Sequence, residues 1–98
     1  MLLMKSGSFA NATRARTTDL AAQARPRPFL LYEFDEEELP AKVHAWGIEY
    51  RDERGTTRAF ACATSGTTSG HFTSAEDALF VFGFGHDLDL AYLDQLTG

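Results

Sequence analysis

The side chains of this sequence able to do chemistry are three histidines, His44, His71 and His86, the single cysteine Cys62, and the carboxylates of Asp87 and Asp89. Metal binding needs such donors at ligand spacing. The sequence has no cysteine pair two residues apart, no histidine pair one helical turn apart and no Cys–His repeat. His86 and Asp87 are adjacent, and neighbours on extended backbone point to opposite faces. Nucleophilic catalysis would pair Cys62 with a histidine base, His44 on the partner strand of a predicted hairpin being the nearest. A cysteine in mid-strand reads as a small core residue rather than as a reactive thiolate at a helix start, and no third group is placed to orient the base. The glycine-rich stretches 66–70 and 83–85 lack the lysine and helix start of a phosphate cradle. The expectation is therefore no catalytic residue, no metal and no cofactor. A rival enzymatic reading requires His44, Cys62 and His71 to converge in one pocket.

The elements that must position these residues follow from hydrophobic period and turn chemistry. Residues 1–28 are rich in Ser, Thr, Ala and Arg, carry Phe9 and Leu20 as the large apolar residues beyond residue 5, and close on Arg25-Pro26-Arg27-Pro28. They read as a basic, flexible or weakly structured arm, with at most a short helix near Thr18–Ala24. The folded domain is placed at 29–98. Phe29–Phe34 reads as a strand, followed by the acidic turn Asp35-Glu36-Glu37-Glu38. Lys42–Tyr50 is a second strand, with His44, Trp46, Ile48 and Tyr50 assigned to its inward face. Arg51–Gly55 makes a hairpin loop into a third strand, Thr56–Thr64, bearing Phe60 and Cys62. After the loop 65–70, His71-Phe72 reads as a short strand end. Thr73 or Ser74 then caps a helix over Ala75–Phe82 that stops at Gly83. Asp87–Tyr92 alternates acid and apolar residues and is read as a strand, although Leu88, Ala91, Tyr92 and Leu96 would also line one helix face. The fold expected is α+β: a small antiparallel sheet in β-β-β-α-β order with one helix packed on it.

The chain has 98 residues and a net charge of −5. That total divides unevenly. Residues 1–28 hold five basic residues against one acidic, net +4, and residues 29–98 hold four against thirteen, net −9. At 98 residues there is room for neither a doubly wound nucleotide fold nor an α/β barrel. No apolar run is long enough to span a membrane, the start does not fit a secretory signal, and one cysteine suits a reducing compartment. Together these point to a cytoplasmic protein. The acidic domain opposes nucleic-acid binding. A domain this small buries little surface, and one sheet face is left without cover, so a homodimer is expected.

Across Val43–Phe82 the order strand, turn, strand, glycine-rich link, then Gly70-His71-Phe72-Thr73-Ser74-Ala75-Glu76-Asp77-Ala78-Leu79, resembles the half-ferredoxin unit of HicB-type antitoxins, where a similar glycine, threonine and Glu-Ala-Leu run opens the helix. The resemblance covers about forty residues, and the appended DNA-binding segment of that family has no counterpart here. It implies an antitoxin- or inhibitor-type protein that neutralises a basic partner or mimics DNA. The residues themselves favour a small acidic, non-enzymatic regulatory or protein-interaction module. Its candidate contacts are Trp46, Phe80, Phe82 and Phe84 with the carboxylates Asp35, Glu36, Glu37 and Glu38. The partner expected is a protein that is basic or offers an apolar groove.

Overall fold

A computed structural model describes residues 7–96. A five-stranded antiparallel sheet is built from β1 (Arg27–Phe34), β2 (Pro40–Arg51), β3 (Thr57–Ala63), β4 (Ser69–Phe72) and β5 (Leu88–Tyr92), in the order β4-β3-β2-β1-β5. Helix α1 (Gly7–Ala24) precedes the sheet, and α2 (Ala75–Phe82) lies across one face of it. A single 3-10 turn, Leu93–Gln95, follows β5. The fold class is thus α+β, and the short strand end expected at His71-Phe72 is a full strand, Ser69–Phe72, paired with β3 along its length, which makes the sheet five-stranded.

Two tight hairpins join β1 to β2 and β2 to β3, and both use the same chemistry. In the second, Asp52 Oδ1 accepts the amides of Arg54 (2.9 Å) and Thr56 (3.0 Å), and Gly55 turns the chain at φ 75°. In the first, Asp35 Oδ1 accepts the amides of Glu37 (2.8 Å) and Leu39 (3.0 Å), and Glu38 takes the left-handed position at φ 61°. Each is a three-residue loop whose last residue is left-handed, held by an aspartate that satisfies the turn's own amides. Helix α2 begins where Ser74 accepts the Asp77 amide. Glu49 of β2 accepts the free Ala75 amide at 2.8 Å, tying the helix to the sheet beneath it. Tyr92 of β5 donates to the same carboxylate at 3.2 Å, and the Arg27 guanidinium lies 3.7 Å over the Tyr92 ring while pairing with Asp94 at 2.8 Å.

The core lies between α2 and the sheet. It consists of Phe29 and Leu31 of β1, Ala45 of β2, Ala59, Ala61 and Ala63 of β3, and Ala75, Ala78 and Phe82 of α2. The sheet positions beneath the helix are small, which lets α2 settle close to the backbone. Gly47 completes this set: its cross-strand partner is Phe29, whose ring covers it. The inward face of β2 is therefore Ala45, Gly47 and Glu49, which corrects the assignment of Trp46, Ile48 and Tyr50 to the interior. The alternation was read in phase, but side-chain size misled the choice of face, because a helix needs alanine and glycine under it. His44 still reaches the helix side. A register shift leaves His44 as the extra residue between the pairs Leu31↔Ala45 and Tyr32↔Val43, and this bulge turns His44 inward beside Ala45.

The basic arm also differs from expectation, since Gly7–Ala24 is one continuous helix and the first strand starts at Arg27. No proline or glycine interrupts residues 8–24, alanines favour helix, and Thr17 and Thr18 donate to the carbonyls of Thr13 and Arg14. The helix ends with Arg25 left-handed at φ 47°, just before Pro26. Residues 10–23 of α1 are exposed, and its final turn lies beside the β2–β3 hairpin. Residues 1–6 of the arm lie outside the described part.

Candidate interaction face and histidine cleft

Among the described residues no helix packs over the middle of the sheet face turned away from α2, where the cross-strand rows are mostly apolar. One row runs Leu30, Trp46, Cys62 and Ser69; the next runs Pro28, Ile48, Phe60 and His71. Trp46 is 44% exposed and Ile48 is 40% exposed, although both sit on the central strand. Phe60 packs edge-on against His71, with ring centres 5.3 Å apart. Beside the first row lies an open apolar hollow of about 400 Å³ between Leu30, Tyr32, Val43, Ala91 and Leu96. Charge enters at the margins, with Arg58 opposite Tyr50 and Asp89 opposite Tyr32. Cys62, expected in the core, is half-buried on this open face.

The predicted contact residues do not form one surface. Trp46 lies on the open sheet face, whereas Phe80 (73% exposed) and Phe84 (83% exposed) lie on the opposite layer, on and just after α2. Phe82 belongs to the core, 8% exposed and packed against Phe72 and His44, so it is removed from the contact set. Two residues of helix rotate Phe82 away from Phe80, which is why the three alternate aromatics separate. Of the acidic turn, Asp35 is spent on holding the loop, while Glu36, Glu37 and Glu38 are exposed.

The three residues of the enzymatic reading are also divided. Cys62 and His71 share the open face, and His44 lies on the α2 side of the sheet. What the fold does assemble around His44 is a different group. Its Nδ1 lies 3.1 Å from Glu33 Oε2, and its ring centre lies 4.7 Å from that of His86. These side chains open into a cleft of about 580 Å³, bounded by Lys42, the 64–68 loop and Phe82 and Phe84. The hydrogen bond from His44 holds the Glu33 carboxyl below its ordinary range, with Lys42 and His86 adding to the effect. Sequence reasoning passed over this group because His44 and His86 are 42 positions apart and only the bulge brings His44 to that face. Among the described residues no three His, Cys, Asp or Glu surround a common metal position, and no helix is long and apolar enough to cross a membrane. Compared with protein-family models, with curated proteins and with solved structures, the chain matches none of them.

Proposed function

We propose that this chain is a small acidic protein-interaction module that acts as a homodimer, two copies packing their open sheet faces together. The observation that carries it is the continuous apolar face with Trp46 and Ile48 uncovered at its centre. The face is about 24 Å across five strands and about 26 Å along β1, roughly 600 Å² in plan before side-chain relief. A standard interface takes about 800 Å² from each partner, so a sheet-on-sheet pair is of the right size. The uncharged centre of the face is what admits a second copy as the occupant: residues 29–98 carry net −9, and two like-charged domains can meet only through a patch that carries no charge. In such a dimer both α2 layers face outward and present Phe80, Phe84 and the Glu36–Glu38 turn to a protein whose groove is apolar with a basic rim. Sedimentation of the wild-type chain and of Trp46→Glu tests this, because a charge at the centre of the interface is tolerated by the monomer and not by the pair.

A further inference from the structure

The second feature of the molecule is the Glu33–His44–His86 group, on the side of the sheet opposite the proposed dimer face and independent of it. We propose that His44 and His86 bind one divalent transition ion of the zinc class, with Glu33 as the group that orients His44. Three observations lead there. The His44 Nδ1 hydrogen bond to Glu33, 3.1 Å long, leaves Nε2 as the free nitrogen; a carboxylate on the far nitrogen is the habitual support of a metal-binding imidazole. Next, the two rings are at chelating separation. Imidazoles bound to one tetrahedral zinc have ring centres about 5 Å apart, and here the separation is 4.7 Å with the rings tilted by 48°. The third observation is the charge of the domain. A net −9 over residues 29–98 raises the local concentration of cations and disfavours an anion in the same cleft. Lys42 at the rim is a contrary charge, offset by Glu33. The bulge at Val43–His44 is the device that builds the site, since without it His44 would lie on the other face with Trp46. Water and the open side of the cleft complete the coordination, so the ion keeps exchangeable positions.

The experiment is calorimetric titration of zinc chloride into the full chain and its variants. One ion per chain is expected. His86 sits in the exposed turn after α2, so His86→Ala leaves the fold intact and should weaken binding at least about tenfold, as should His44→Ala; Glu33→Gln should weaken it by about ten- to hundredfold. The double variant Cys62→Ser/His71→Ala, which removes the soft donors of the other face, should bind as the wild type does. Absence of saturable binding, unchanged affinity in His86→Ala, or loss of binding in the Cys62→Ser/His71→Ala variant would overturn the proposal.

Discussion

A Cβ at Gly47 would meet the carbonyl oxygen of Phe60 and stand 2.6 Å from the tip of the Phe29 ring. No alanine fits there without moving backbone, so Gly47→Ala is expected to lower stability by about 2 to 3 kcal/mol in a denaturant titration; a loss within experimental error would mean that Phe29 does not pack across β2. The opposite case is Glu38, a residue with a Cβ held in the left-handed region at φ 61°. The equivalent position of the other hairpin is Gly55, at φ 75°. Relief of the left-handed penalty exceeds the added chain entropy of glycine, so Glu38→Gly should raise stability by up to about 1 kcal/mol. Unchanged or lower stability would count against the shared turn geometry. These two positions also show what could be read locally. Gly55 announced its turn because glycine is the expected residue there. The Asp35–Glu38 turn was legible as a turn from its carboxylate run, but its left-handed residue was not, because that residue is a glutamate.

At the scale of elements, local signals specified α2 and β5 closely. Ser74 and Gly83 bracket the helix, and the alternation from Asp87 to Tyr92 matches Leu88–Tyr92 as a strand. What could not be read was which face of β2 goes inward, since that depends on α2 arriving over Ala45, Gly47 and the alanines of β3. Nor could the bulge be read, and with it the meeting of His44 with Glu33 and His86. Only the last part of the 18-residue helix α1, near Thr18–Ala24, was suggested by the sequence, because the helix lacks an apolar stripe of large side chains. Ion pairs tie the elements together, and they predict the acid response. Glu33 is lowered first by its His44 hydrogen bond, Asp94 by Arg27, and Asp52 by the Thr56 amide and then Arg58. A carboxyl whose folded value lies below its unfolded one contributes stability above the unfolded value, about 4. That contribution disappears as pH falls through the lower, folded values. Stability should therefore drop on acidification below about pH 4, and Glu33→Gln with Asp52→Asn should flatten the drop. A profile unchanged by the pair would contradict the assignment.

For the whole molecule, the surface is larger than a compact monomer requires. Size scaling gives about 5,500 Å² for this mass, against 7,099 Å² observed. The radius of gyration is 17.8 Å, where a compact domain of this length has about 13 Å. Helix α1, exposed over residues 10–23, contributes to the excess. The net charge conceals the same division: a basic segment over residues 1–28, an acidic remainder, and a face with an uncharged centre through which that domain can meet its copy. The most direct test is sedimentation equilibrium from micromolar to millimolar concentration. A wild-type species of twice 10.8 kDa that becomes a folded monomer in Trp46→Glu is expected. A wild-type chain that sediments as a 10.8 kDa monomer throughout that range, or a Trp46→Glu variant that stays dimeric, would contradict it.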